Sequence, residues 1–425
     1  MKNMLKKTTG LLLLLCITSI SWGHPLLGTN NTTADTANYL TFRGRLVDKI
    51  SRAPIIYADV TVEGENTSTV SNNHGDFVLK ISKESNAEKI VISHLGYKSL
   101  RVDIKDLKPR HNVFRIEPMV VPLNQVYVRP GPVDQIIKKV LENIGRNYSE
   151  KPNEMTGFYR EAIKKRKSYV SLSEAVVKIY KAPYESLIND QVRVLKGRKG
   201  SNVKRMDTLL FKLQGGPTTG LMLDLIKNPY VLLNNDMLRL YNFSLINEVK
   251  KDNRLYYVVQ FEPISKGGVP GYTGKYYIDV ETYALASANF SLDLSQPEAA
   301  ANLFIKKKPS GVKVTPVSAH YLVNYREQNG KWYFNYSKGE VSFKIKWKKR
   351  LFSSVYSTLF EMVITDRDAE HAVRFKPRER FKKNQIFAET VQAFTEKNYW
   401  GKYNYIEPNQ SIEAAMRRFK RLLKK

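Results

Sequence analysis

Two glutamates, Glu161 and Glu174, stand apart from the other acidic residues because apolar and aromatic neighbours flank each of them. Two carboxylates facing one bond are the minimum for glycoside hydrolysis, one as acid and one as base or nucleophile. The same setting suits buried ion pairing with the abundant Lys and Arg, and the two readings stay side by side. The histidines are His24, His74, His94, His111, His320 and His371. None opens a His-Glu-x-x-His run, so the paired ligands and carboxylate base of a zinc peptidase are missing. There is no Gly-x-Ser-x-Gly elbow and no phosphate-binding loop. The glycine-rich stretch 267–274 has no helix signal behind it and reads as a long hairpin connection. Cys16 is the single cysteine, so disulfides and thiolate chemistry are absent downstream of it. These residues predict no catalytic site, no metal and no cofactor.

Positive charge is the stronger signal. The chain carries 69 Lys and Arg against 40 Asp and Glu. Residues 24–130 hold 14 basic and 11 acidic side chains, whereas residues 131–425 hold 52 and 29, so the excess belongs to the second part. It gathers in three stretches. Lys344, Lys346, Lys348, Lys349 and Arg350 form the first, residues 374–383 the second, and Arg417, Arg418 and Arg421 lie in the third, which runs to Lys425. The first and third are the candidate contacts for an anionic partner. In the third, Ile412, Ala415, Met416 and Phe419 recur at helical spacing. Such a helix docks on a β-domain or lies on a membrane surface, and the pattern fits both.

Which anion is available depends on address. Lys2, Lys6 and Lys7 precede an apolar run, and Ser21-Trp22-Gly23 offers small residues for cleavage, the form of a signal peptide. Export to the periplasm or outer membrane removes nucleic acid as a partner. It leaves an outer-membrane protein or an anionic envelope lipid or glycan, reached by peripheral membrane contact. No later apolar stretch is long enough for a transmembrane helix after signal cleavage.

The positioning elements are mostly strands. Residues 24–38 are small and polar and read as a flexible leader. Residues 39–129 give six or seven short alternating strands separated by Gly and Asn clusters, the pattern of an antiparallel sandwich. Prolines bracket an exit strand at 126–128, and residues 130–155 form a linker with an amphipathic helix on Ile136, Ile137, Val140, Leu141 and Ile144. Residues 156–425 read as a basic, β-rich α+β domain with a helix near 221–226 and a hairpin turn at Gly330.

Residues 42–48, Pro54, 58–62, 69–72, 75–77 and the run Ser93-His94-Leu95-Gly96-Tyr97 resemble, in order and spacing, the carboxypeptidase regulatory-like domain. That resemblance implies a transthyretin-like β-sandwich at the N-terminus of an envelope protein, without peptidase chemistry. Residues 157–161, 172–175, 274–282 and 400–408 are similar to uncharacterised envelope proteins that carry the same sandwich, whose longer members continue into an outer-membrane barrel. Residues 274–286 also resemble the curved sheets of periplasmic lipoprotein carriers. The expected fold is mainly β: a transthyretin-like sandwich, then a curved antiparallel sheet with helices. The expected function is a non-enzymatic adaptor or binding module. The alternatives are a periplasmic lipid-carrier-like protein or an envelope-polymer hydrolase using Glu161 or Glu174.

Overall fold

The computed structural model describes residues 14–17, 38–119, 132–202, 211–230, 232–265, 270–307, 310–348, 351–393 and 399–423. Residues 24–37 of the leader, the exit strand expected at 126–128, and most of the 1–23 segment lie outside the described residues. Within that segment, β1 (Leu14–Ile17) pairs with two short strands described below.

The sandwich contains β2 (Tyr39–Asp48), β3 (Asp59–Val62), β4 (Ser68–Val70), β5 (Asp76–Ser82), β6 (Lys89–Ser93), β7 (Leu100–Asp103) and β8 (Asn112–Ile116). One sheet has the order β5-β2-β8 and the other β4-β3-β6-β7. Alternation places Val60, Val62, Ile90 and Ile92 inward against Phe42, Leu46, Phe77 and Leu79. The expectation of a wholly antiparallel sandwich needs one correction, since β8 runs parallel to β2. A short helical turn at residues 104–106 carries the chain from β7 in one sheet to β8 in the other.

After the sandwich come α1 (Val133–Glu142) and α2 (Ile144–Asn147). Ile136, Ile137 and Val140 of α1 are buried, as their spacing predicts. The second domain then comprises β9 (Asn153–Lys165), β10 (Ser168–Lys181), β11 (Gln191–Ser201), β12 (Phe211–Gln214), α3 (Gly216–Met222), α4 (Met237–Leu240), β13 (Tyr241–Lys251), β14 (Arg254–Pro263), β15 (Tyr272–Asp279), β16 (Leu285–Leu292), α5 (Pro297–Phe304), β17 (Ile305–Lys307), β18 (Val312–Gln328), β19 (Lys331–Trp347), β20 (Ser354–Asp368), α6 (Phe387–Thr390), β21 (Gln392–Ala393) and α7 (Gln410–Leu423). Eleven strands form one curved sheet in the order β13-β14-β15-β16-β18-β19-β20-β9-β10-β11-β21, and β12-β1-β17 make a small separate sheet. The fold is mainly β, as expected. Asn329 and Gly330, both at positive φ, close the β18–β19 hairpin in a mirror-image turn that matches strand twist. The helix expected at 221–226 starts earlier, at Gly216. Pro217 sits in its first turn, where its missing N–H costs nothing, and the chain leaves the helix before Asp224.

The large sheet has two covered faces. The inner face packs α1, α3 and α5 over a core that includes Tyr159, Val177, Phe261, Tyr276 and Phe343. The outer face of β9, β10, β19 and β20 takes both the sandwich and α7. Val70 of the sandwich packs there with Phe158, Val176, Tyr336, Val363, Trp400 and Ile406. Residues 399–409 are wedged in this seam. Asn404 bonds both ways with the Lys80 backbone (2.6 and 3.0 Å), Arg43 pairs with Glu407 (3.0 Å), and Asn72 donates to the Glu407 carbonyl (2.9 Å). The sandwich is thus docked on the sheet through a continuous apolar and hydrogen-bonded seam.

Trp400 is almost fully buried, edge-on to Phe158 at 5.2 Å with the Arg198 guanidinium over its ring at 4.7 Å. Trp400→Ala is expected to lower unfolding free energy by about 3–5 kcal/mol, from lost burial plus the cavity left behind. A urea titration of both proteins measures it; a change below about 1 kcal/mol would mean the seam contributes little.

Candidate functional site

Glu161 and Glu174 do not form a catalytic pair. In the β9–β10 hairpin Glu161 lies opposite Ser173, and Glu174 opposite Arg160. Residues directly opposite share a face and successive residues alternate, so the two carboxylates point to opposite sides of the sheet. The cause is a bulge between Tyr169 and Ser171 that shifts the register by one residue. With the register of Tyr169–Lys164 continued, Glu174 would fall opposite Tyr159, on the Glu161 side.

Each glutamate has a structural setting instead. On the outer face Glu174 accepts from Arg160 Nε (2.8 Å) and from Arg198 Nε and Nη2 (2.9 and 2.8 Å). Arg160 also reaches Glu361 (2.9 Å) and donates to the Ile406 carbonyl (2.8 Å). Two guanidinium and two carboxylate groups therefore cancel beneath the seam. Burial alone would raise the Glu174 carboxyl, but Arg198 and Arg160 outweigh it and hold it below the ordinary range. On the inner face burial pushes Glu161 up to about 8, against the lowering effect of a 3.0 Å bond from Tyr159 Oη and one from the Ala388 backbone. Burial thus favours its neutral form.

The side chains that line open space lie elsewhere. A cleft of about 990 Å³ opens where β10 ends, between the 184–191 loop, α3 with the 226–230 turn, the end of α1, and residues 374–383. Its deep side is fixed by a second buried ion cluster: Lys181 Nζ lies 2.6 Å from both Asp190 and Asp224, and Asp224 also accepts from Tyr325 Oη at 2.8 Å. Burial would lower the Lys181 ammonium, but the two carboxylates outweigh it and raise it. Lys227 donates to the carbonyls of Pro183 and Ser186 (2.5 and 2.6 Å), tying the loop to the turn. The opposite wall hangs on β11: Phe375 N donates to Gln191 Oε1 (2.9 Å), Phe381 N to the Val192 carbonyl (2.7 Å), and Arg193 pairs with Glu379 (3.1 Å).

The lining divides by chemistry. Leu141, Ile144, Leu221, Met222, Ile226 and Phe381 supply apolar surface, and Leu187, Ile188 and Tyr230 stand exposed around the opening. Arg374, Lys382 and Lys383 are exposed on the wall that carries Phe381. The second basic stretch of the sequence is therefore the cleft's cationic rim. The apolar floor was missed in the sequence because its residues come from three segments, around 141–144, 221–226 and 381, and none departs from ordinary core periodicity.

The other basic residues sit away from the cleft. Lys344 and Lys346 project from the outer face of β19, Lys348 follows in the turn, and all three are exposed; Lys349 and Arg350 lie outside the described residues. The helix α7 is docked, with Ile412, Ala415 and Phe419 against Ala162, Tyr169, Leu172 and Leu359. Arg417 and Arg421 face solvent, whereas Arg418 folds back to the Tyr169 carbonyl.

Residues 42–128 match the family of the CarboxypepD_reg-like domain. That match covers the sandwich and agrees with the resemblance read from its turns and strands. No curated protein matches the chain. Among solved structures, a LolA superfamily protein from Nitrosomonas europaea aligns at 12% identity over 59% of this chain and 96% of its own, with a TM-score of 0.22. A DUF1329 family protein from Desulfovibrio piger aligns at 9% identity over 58% and 96%, with a TM-score of 0.25. The Pseudomonas aeruginosa MucA/MucB complex aligns at 12% identity over 56% and 99%, with a TM-score of 0.18. At scores this low the likenesses carry no weight for function.

Glu161 gives a pH prediction. Its folded pKa lies above the unfolded value near 4.5, so its stabilising effect is complete below about pH 4.5 and is lost as pH rises through about 8. In Glu161→Gln that loss is absent, so the variant gains on the parent by roughly 1 kcal/mol per pH unit between about pH 5 and 8. Urea midpoints across this range test it; parallel pH profiles would show that Glu161 is ionised in the folded chain.

Proposed function

We propose that the chain is a non-enzymatic envelope protein that holds an anionic amphiphile in the cleft beyond the end of β10. The observation that carries this reading is the pairing of an apolar floor with a cationic rim in one opening of about 990 Å³. An acyl chain laid along the half-buried Leu141, Ile144 and Met222 exchanges water-exposed for buried apolar surface. An acidic headgroup at the opening meets Arg374, Lys382 and Lys383. Clefts of this size with a few polar groups at one side are the usual form of small-ligand sites. The internal charges of the site are already matched by the Lys181–Asp190–Asp224 cluster, so they stabilise the walls and leave ligand charge to the rim. The signal-like segment 1–23 supplies the export address, and periplasm or outer membrane is where acidic lipid of this kind is met.

The carrier reading is favoured over the adaptor reading by this cleft, since a protein-binding adaptor needs no apolar floor beside a cationic rim. The test is binding of oleate, followed by displacement of a fluorescent fatty acid from the full chain. Leu141→Asp, which puts charge on the floor, and the double variant Lys382→Glu/Lys383→Glu, which reverses the rim, are each expected to weaken binding about tenfold or more. Dodecyl maltoside, with an uncharged head, is expected to bind more weakly than oleate and to ignore the rim variant. Equal oleate binding by the parent and both variants would remove the cleft from consideration.

A further inference from the structure

Far from the cleft, three segments without a single acidic residue meet at one end of the sheet. Among the described residues, 162–173, 341–348, 351–360 and 414–423 together contain eleven Lys and Arg and no Asp or Glu. The sheet register brings them together: Lys165 lies opposite Tyr356, Val355 opposite Lys344, and the Arg166 N–H donates to the Val355 carbonyl at 2.8 Å. The helix α7 joins through Arg418 at Tyr169 and through its apolar stripe on Ala162 and Leu359. Lys344, Lys346, Lys348, Arg166, Lys167, Arg417 and Arg421 are exposed on this end. The nearest acid along α7, Glu413, pairs with Arg417 at 3.6 Å.

At the same end, the connection from β19 to β20 carries Leu351 and Phe352, exposed by 92% and 81%, next to half-exposed Val355. Two large apolar side chains at the tip of a hairpin gain nothing from the fold. Ringed by cations they have the composition of a segment that enters the headgroup layer of a membrane. We propose that this end of the sheet is a docking surface for an anionic lipid bilayer, with Leu351 and Phe352 inserted below the headgroups. Lys344, Lys346, Arg166, Lys167 and Arg421 then lie against lipid phosphates. A basic protein partner is excluded by the same charge, and an acidic protein surface would leave the two tip residues without a purpose. The inference does not rest on the cleft reading, because vesicle binding and oleate binding are measured separately.

The test is co-sedimentation of the full chain with vesicles of phosphatidylcholine containing phosphatidylglycerol, against vesicles of phosphatidylcholine alone. Binding is expected only with phosphatidylglycerol and is expected to fall steeply as salt is raised. Leu351→Ser/Phe352→Ser and Lys344→Glu/Lys346→Glu are each expected to lower vesicle partitioning about tenfold or more, with oleate binding unchanged. These four positions are exposed, so the variants fold; a matching far-UV spectrum and urea midpoint confirm that. Equal binding to both vesicle types, no binding to either, or full binding by both variants would overturn the proposal. Retention of these residues' effect on a lipid-free acidic envelope protein, without vesicle binding, would overturn it in favour of a protein partner.

Discussion

Charge neutrality under the seam is the condition on which the two-domain arrangement depends. Arg160 and Glu174 have side chains only about 1% exposed, and an ion taken that far from water costs several kcal/mol unless a partner returns it. Glu174 needs both Arg160 and Arg198, Arg160 needs Glu361 and the Ile406 carbonyl, and Tyr336 closes the set on Glu361 at 3.3 Å. Those partners come from β9, β10, β11, β19, β20 and the 399–409 segment. Removing one leaves an uncompensated charge in the dark, so the segments that meet here are held to one register. The sandwich and Trp400 then close upon a surface whose buried charges are matched.

The strand β10 carries a buried charge on each face. Glu174 looks outward to the seam, and Lys181, at the strand's end, looks inward to the cleft, where Asp190 and Asp224 match it. One strand thereby links domain docking to the shape of the opening. The cleft wall made by residues 374–383 is anchored on the neighbouring strand β11, which also supplies Arg198 to the quartet. Seam and cleft are built on the same two strands but use opposite sides of them.

Much of the fold could be read directly. Turn clusters such as 71–76 and the alternation of Val60 and Val62 point to the sandwich, and Ile136, Ile137 and Val140 to α1. The apolar stripe Ile412, Ala415, Phe419 permitted either a docked or a membrane-lying helix, and only the facing Ala162, Tyr169, Leu172 and Leu359 decide for docking. The pairing of Glu161 with Glu174 failed for a local reason: a single extra residue in the hairpin moves every later side chain of β10 to the other face. Hydrophobic alternation does not reveal such a bulge in a strand buried on both sides, since both faces are apolar. The cleft was half legible, its rim as a basic run and its floor hidden among ordinary core residues whose meeting is set by chain paths far apart.

The length of β10 sets a distance. Tyr169, beside the Arg166–Lys167 turn, and Lys181, in the ion cluster behind the cleft, are twelve steps apart along the chain, about 40 Å if extended. A molecule seated in the opening therefore rides well clear of whatever the turn rests upon. If the opening takes a ligand and the turn meets a membrane, as proposed, β10 holds the two at opposite ends of one strand.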